Sequence, residues 1–336
     1  MISRLLFLLT RTPLHVGTGA SVGAIDQPVA RERHTGFPII PASSIKGPLA
    51  DQWPTSLKGD KGQQVRLKTK KVGENFVIDG EVSEAAWLFG SDEAKEGFSA
   101  AGALLFGEAR LLAFPIRSAR GSFAWITSPL LLRRAAREGV FSATVAAAIQ
   151  QLTEPGDGAA RFAAGKLELD VTENGQVVKK VVLEEYTFAR PGQNGDLPTD
   201  LGAAVAALIA DDPVWKEVAT RLVILSDGQL SHFVTTACEV AQHVRIKDET
   251  GTADPGGLFN QENVPSETLF YATVRATDSR LKGHAYESSA LTSKTAAEAL
   301  TAFASKVIAT KIFQFGADAS TGLGYCTVKL SEPQGA

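Results

Sequence analysis

HVGTGASVGAIDQPVARERHTGFPIIPASSIKGPLAD, residues 15–51, is the stretch on which the reading of this chain turns. Small residues, acids, arginines and a lysine alternate here without the period of a helix or a strand, so the middle of the stretch is a polar loop between two regular elements. Loops of this kind on rigid scaffolds carry function more often than cores do. Upstream, Ile2 to Thr10 is a short apolar run with no helix cap, which predicts a buried strand ended by Pro13 and the glycines beyond it. Downstream, Ser43 and Ser44 follow a proline, and Ile45, Leu49 and Trp53 fall at helical spacing. This predicts a serine-capped helix ending near Pro54. Its N-terminal N–H groups would follow the loop directly and favour an anion.

A second glycine-rich stretch, FGADASTGLGY from Phe315 to Tyr325, lies near the other end of the chain. The two stretches converge if the first and last strands are neighbours. Lys294 to Phe315 reads as an amphipathic helix with Thr295 and Glu298 as a capping box and a face of Leu300, Ala304, Val307, Ile308 and Ile312. Tyr325 to Leu330 reads as the closing strand. A strand–loop–helix start and a helix–loop–strand finish fit a ferredoxin-like βαββαβ core of the α+β class with large insertions between its central strands.

Between these ends, Leu104 to Ile126 predicts two strands joined by Ala119-Arg120-Gly121, and Ser128-Pro129 opens a helix carrying Arg133, Arg134 and Arg137. Gly165 to Phe188 predicts a hairpin turning at Thr172–Gly175. Leu201–Ile209 reads as a helix, and Arg221–Ser226, Val240–Ile246 and Leu269–Ala276 as strands. The basic segment Lys58 to Lys71 reads either as a solvated insertion or as an RNA-facing finger.

The chain has 336 residues, 44% hydrophobic and 21% charged, enough for a substantial core. A net charge of −3 excludes a bulk polycation, so contact with nucleic acid would need local basic patches. Cys238 and Cys326 lie in apolar contexts and predict buried free thiols in a reducing cytoplasm. No apolar run reaches the length of a membrane span, so no membrane partner is expected. There is no P-loop, no H-E-x-x-H, no G-x-S-x-G and no C-x-x-C; Gly17, Gly19 and Gly23 are spaced one residue too long for the dinucleotide fingerprint.

The stretch HVGTG…IDQPVARERHTGFPIIPASSIKG resembles the N-terminal signature of the RAMP proteins, and more narrowly that of the backbone subunit of type III-B (Cmr) CRISPR effector complexes. FGEARLLAFPIRSARGSFAWITSP, RLVILSD, the segment from Thr235 to Tyr271 and FGADASTGLG fit the same group in order. The resemblance implies a single RAMP domain over residues 1–336, hand-like, with an RRM-like palm, a finger at 54–100 and a thumb at 165–198. It implies stacking of copies into a helical filament on a CRISPR guide RNA, alongside other Cmr subunits, and endonucleolytic cutting of complementary target RNA at regular intervals with a divalent metal, Mg²⁺ or Mn²⁺.

By the same resemblance Asp26 takes the position of the catalytic aspartate and metal ligand; without it, the residue reads as a turn cap. A loop carboxylate among glycines and cations can reach an RNA backbone, bind a metal-bound water or align a 2′-hydroxyl with the scissile phosphate. Ser43, Ser44 and Lys46 match an S-x-K-G element suited to guide phosphate. His15 reads as a general base or as a loop-stabilising hydrogen bonder. Arg31 and Arg33 read as phosphate contacts or as ion-pair partners of Glu32 and its neighbours. Glu239 reads as a metal assistant or as a strand-edge ion pair. Gly17 and Gly19 belong to the first loop. Gly316, Thr321, Gly322 and Gly324 would form a second phosphate cradle, although Phe-Gly-Ala-Asp stands where the family has Gly-Gly-Asp. The same signature is compatible with a non-catalytic guide-binding scaffold. The hairpin at 165–188 is equally compatible with an edge of the domain's own sheet.

Overall fold

The computed structural model describes residues 1–19, 23–59, 62–91, 99–191, 196–281 and 290–335. Residues 20–22 of the polar loop, 60–61 and 92–98 of the expected finger and 192–195 of the expected thumb lie outside the described residues. In chain order the first elements are β1 (Ile2–Thr10), β2 (Ile39–Ile40), α1 (Ala42–Ala50), β3 (Leu67–Val72), β4 (Asn75–Val82), α2 (Glu84–Phe89), β5 (Leu104–Phe106), β6 (Ala109–Ser118) and β7 (Ser122–Thr127). There follow α3 (Pro129–Arg137), α4 (Ala143–Gln150), β8 (Arg161–Phe162), β9 (Leu169–Glu173), β10 (Gln176–Leu183), β11 (Tyr186–Ala189), α5 (Thr199–Ala207), α6 (Val218–Arg221), β12 (Leu222–Ile224) and α7 (Asp227–Thr236). The last are β13 (Glu239–Ile246), β14 (Ala253–Asn263), β15 (Leu269–Ala276), α8 (Ala296–Thr310), β16 (Ile312–Gln314) and β17 (Tyr325–Ser331).

The central strands run in the order β17–β1–β15–β6, and every neighbouring pair is antiparallel. Numbered within a βαββαβ unit built from β1, α1, β6, β15, α8 and β17, this order is 4-1-3-2, the ferredoxin-like palm. β1 lies between two strands and is covered on both faces, which is why its sequence is continuously apolar rather than alternating. Leu6 and Leu8 enter a core with Ile45 and Leu49 of α1 and Leu300 and Phe303 of α8. Leu5, Phe7 and Leu9 enter a second core on the opposite face with Leu132, Phe141, Leu201 and Trp215, contributed by the insertion between β6 and β15.

Four local expectations need correction. Ser43 and Ser44 lie inside α1, whose N-cap position is Pro41 with no side-chain cap bond, and the helix ends at Ala50 before reaching Pro54. The strand expected from residue 104 is broken into β5 and β6 at Gly107, where a Cβ would stand 2.8 Å from Thr273 Oγ1. The Thr295–Glu298 capping box forms, but α8 buries Ala299, Leu300, Phe303 and Val307, while Ile308 is 66% exposed. Ile312 belongs to β16, after a left-handed turn at Lys311.

Three hairpins extend from the palm. β9 and β10 turn at Asn174-Gly175, both at positive φ, and β10 rests on the main sheet through the pair Leu183–Ser118. Val181 and Leu183 are buried, whereas Val177 is 65% exposed. β13 and β14 form a separate antiparallel ribbon with Val240, Val244, Ile246 and Leu258 exposed. In the basic segment β3 pairs with β4, and α2 behind them packs Phe89 on Trp53 at 5.0 Å between ring centres. Cys238 and Cys326 are both buried free thiols. Among the described residues no helix is long and apolar enough to cross a membrane.

Candidate nucleic-acid interface

Pairing of β1 with β17 brings the two glycine-rich loops together. Gly324 N–H donates to the Pro13 carbonyl at 2.8 Å and Ala317 N–H to the His15 carbonyl at 2.9 Å. Gly316 has φ +77°, and a Cβ there would lie 2.1 Å from the His15 carbonyl oxygen, so the contact excludes any side chain. Thr321 closes the turn by donating its hydroxyl to the Asp318 carbonyl at 2.9 Å, and Gly322 follows it in the left-handed region.

The base of the ribbon joins both loops. Asn260, Gln261 and Glu262 are consecutive on β14, and each ties down a different segment. Asp26 N–H donates to Asn260 Oδ1 at 2.7 Å, Asn260 N–H donates to Asp26 Oδ2 at 2.9 Å, and Asn260 Nδ2 donates to the Ala24 carbonyl. These two hydrogen bonds to one asparagine, one from the Asp26 backbone and one to its side chain, hold an exposed carboxylate in a fixed direction. Gln261 Nε2 donates to Asp318 Oδ2 at 2.9 Å in the C-terminal loop. Glu262, buried, accepts from Val29 N–H at 3.0 Å and from Arg31 at 2.5 Å, and its backbone carbonyl accepts from His15 Nδ1 at 2.7 Å.

His15 is therefore a buried strut: a carbonyl only accepts, so Nδ1 carries the proton, and the ring's other nitrogen lies against Gly17, where a Cβ would stand 2.7 Å away. Arg31 spends its guanidinium on the Gly36 and Val234 carbonyls, on Cys238 Sγ and on Glu262. Burial pushes the Cys238 thiol up to about 12 despite that arginine. Glu32 pairs with neither Arg31 nor Arg33; its partner is Arg134 at 2.8 Å. Burial alone would raise the Glu32 carboxyl, but Arg134, Thr35 and His34 outweigh it and hold it below the ordinary range. Arg33 is exposed and makes no bond among the described residues, and Gly17 and Gly19 are also exposed.

Glu239 pairs with Asn263 through β13, on the opposite edge of β14 from Asp26. The two positions are three residues apart along the strand, roughly 10 Å, so the two carboxylates are not neighbours in one site. Partial burial raises the Glu239 carboxyl. Lys46 is half-buried in α1; burial and then the nearby Arg66 push its ammonium below the usual lysine range. Arg66 itself lies 3.9 Å from Asp51, and Lys46 has no acidic partner among the described residues. Among the described residues no three His, Cys, Asp or Glu cluster as a metal cage. Asp26 fits a divalent cation only as a single hard oxygen ligand, the remaining positions falling to water and phosphate, as Mg²⁺ tolerates.

The sequence profile of the RAMP superfamily matches residues 7–327. The chain belongs to the RAMP superfamily. This RAMP chain is 31% identical over 279 residues to the CRISPR system Cmr endoribonuclease Cmr4 of Pyrococcus furiosus, covering 82% of each chain. Its fold is similar to that of oligomeric Cmr4 from the same organism, with TM-score 0.57 at 24% identity, covering 99% of this chain and 98% of that one. It is similar also to a chain of the type III-B Cmr-beta complex bound to cognate target RNA, with TM-score 0.59 at 17% identity over 98% and 97% of the two chains. The sequence reading did not single out Asn260, Gln261, Glu262 and Asp318. The signal for the first three is a run of four polar residues, Asn260–Asn263, between Phe259 and Val264; Asp318 carries none beyond its place in the glycine-rich loop.

Proposed function

We propose that this RAMP protein is the guide-binding backbone subunit of a type III-B CRISPR effector and that Asp26 cuts the target RNA paired with the guide. Its relatives are an endoribonuclease and components of a type III-B complex. The observation that carries the catalytic reading is the Asn260 clamp on Asp26: an exposed carboxylate, held from both its backbone and its side chain, at the meeting point of the two glycine loops. Asn260 orients the carboxylate; Asp26 is then placed to align a 2′-hydroxyl with the scissile phosphate. A bound Mg²⁺ or Mn²⁺ would stabilise charge developing on that phosphate. Lys46 on α1 takes guide phosphate, and the loop from Gly316 to Gly324 faces the RNA with the N–H groups of residues 318–320, those of Ala317 and Thr321 to Gly324 being bonded within the protein. His15, Glu262 and Arg31 act as positioning residues that hold the loop.

Further copies of the chain stack along the guide, next to other Cmr subunits. The thumb of the family has two candidates here. The hairpin within 165–198 leans on the main sheet at Leu183. The β13–β14 ribbon has Asp26 fastened to its base through Asn260, so a strand wedged by it would pass the carboxylate, and we favour it. Deleting 172–177 and shortening the ribbon at 247–252 separates the two: only the true thumb disrupts evenly spaced cutting.

Asp26→Asn in the assembled complex tests the catalytic reading. Cleavage is expected to disappear while guide binding and assembly persist, and chelation of divalent ions in the wild type is expected to stop cutting until Mg²⁺ or Mn²⁺ is restored. Unchanged cleavage products at saturating metal would leave a guide-binding scaffold without Asp26 chemistry.

A further inference from the structure

Tyr271 stands in the middle of β15, between Phe7 of β1 and Arg110 of β6. It is 2% exposed, and its hydroxyl oxygen is buried without a hydrogen-bond partner. Buried hydroxyls are nearly always paired, and an orphan asks for a missing partner. The residue lines a cavity of about 280 Å³ with Glu108, Arg110, Glu138 and Arg275. Arg110 is shared with an adjoining cleft of about 690 Å³ that is lined by Arg133, Arg134 and Arg137.

The two cavities thus collect five arginines against Glu32, Glu108 and Glu138, in a chain whose net charge is −3. Arg134 is used by Glu32 at 2.8 Å, and Arg133 by the Leu152 carbonyl at 2.7 Å. Arg110 lies 3.9 Å from Glu108 and Arg137 4.0 Å from Glu138, both at the limit of ion pairing, and Arg275 is exposed with no partner among the described residues. Arg134 and Arg137 sit in the last turn of α3, where they also complement the helix dipole. That explanation does not reach Arg110 and Arg275, which stand on strands.

We propose that Tyr271, Arg110, Arg137 and Arg275 form a second phosphate-binding cleft for RNA, apart from the Asp26 loop. The inference rests on the RNA-binding reading above. A hydroxyl donor with guanidinium forks around it suits a tetrahedral oxyanion, which accepts several donors at once. Two adjoining cavities joined by one arginine suit consecutive phosphates of a strand better than a lone carboxylate. The cleft lies on the opposite face of the palm sheet from α1, since Tyr271 and its neighbour Phe7 belong to the second core.

The test uses the full chain, single-stranded RNA of guide length and a salt series. Arg137→Ala/Arg275→Ala is expected to flatten the slope of log affinity against log salt by roughly 1.4, at about 0.7 per phosphate contact on a single strand. Tyr271→Phe is expected to weaken binding about three- to tenfold with the slope unchanged, because the lost donor is neutral. Its unfolding midpoint should not fall, because the hydroxyl has no bond to lose. A lowered midpoint would overturn the proposal by revealing a structural partner. So would wild-type affinity and slope in both variants, or a loss of self-association with RNA binding intact, which would make the cleft a contact between copies. Lys46→Ala separates this inference from the reading beneath it. If Lys46→Ala weakens RNA binding and the cleft variants do not, only the cleft fails; if the wild type binds no RNA, both fail.

Discussion

Arg31→Met is expected to destabilise the protein by about 3 kcal/mol. The Arg31 side chain is 19% exposed, and its partner Glu262 is 4% exposed at 2.5 Å. Removing one member of a buried pair costs about 3–5 kcal/mol, because the other is left as an uncompensated charge. The Gly36 and Val234 carbonyls lose donors as well, at about 1 kcal/mol each. The residual exposure of Arg31 lets water replace the donors lost to the two carbonyls and screen part of the stranded charge, which puts the total near the lower end of the ion-pair range, about 3 kcal/mol. Urea midpoints for Arg31→Met, Glu262→Gln and the double variant measure it. With the slope on denaturant unchanged, the double variant should lose less than the sum of the singles by about 1.5 kcal/mol, since the neutral amide introduced at position 262 leaves no charge stranded. A single-variant loss below about 1 kcal/mol, or strictly additive losses, would refute the reasoning. Intact stability with weakened RNA binding would place the guanidinium on phosphate, the alternative that the sequence leaves open.

Lys46→Ala should weaken guide RNA binding without regard to sequence and lower the salt slope by about 0.7, one phosphate contact on a single strand; an unchanged slope in a filter-binding series rules out a phosphate contact. Gly316→Ala should cost about 2 kcal/mol or more in unfolding free energy, since its Cβ would stand 2.1 Å from the His15 carbonyl oxygen at a φ of +77°; a midpoint within error of wild type would show that the loop yields freely. Burial, with Asp212 adding and Arg11 opposing, pushes Glu267 up to about 7. The folded state therefore holds its proton above the unfolded value of 4.5, and this group's contribution to stability is present below pH 4.5 and lost as pH rises towards 7. Glu267→Gln should flatten that decline in a midpoint-against-pH series and raise stability at pH 8; an unchanged pH profile counts against it.

Much of the palm is legible in the sequence because its signals are local. The apolar run of Ile2–Thr10, the Thr295–Glu298 capping box and Ser128-Pro129 before α3 are set by neighbours a few residues away, and each forms as read. The convergence of the glycine loops also follows from sequence once β1 and β17 are taken as neighbours. Where local signals compete, tertiary packing decides. Ser43 and Ser44 are good caps, yet Pro41 takes the N-cap position, and the covered face of α8 is set by what lies beneath it, which leaves Ile308 in solvent. The site itself belongs to the tertiary structure. Asp26 is held by Asn260, His15 by the Glu262 carbonyl and Arg31 by the Glu262 carboxylate, all more than 200 residues away along the chain. Periodicity and spacing cannot register such contacts, because they arise only when β14 is laid beside the loop. The residue types at 15, 26 and 31 announce polar chemistry, and the fold alone leaves the carboxylate exposed and buries the imidazole and the guanidinium behind its loop.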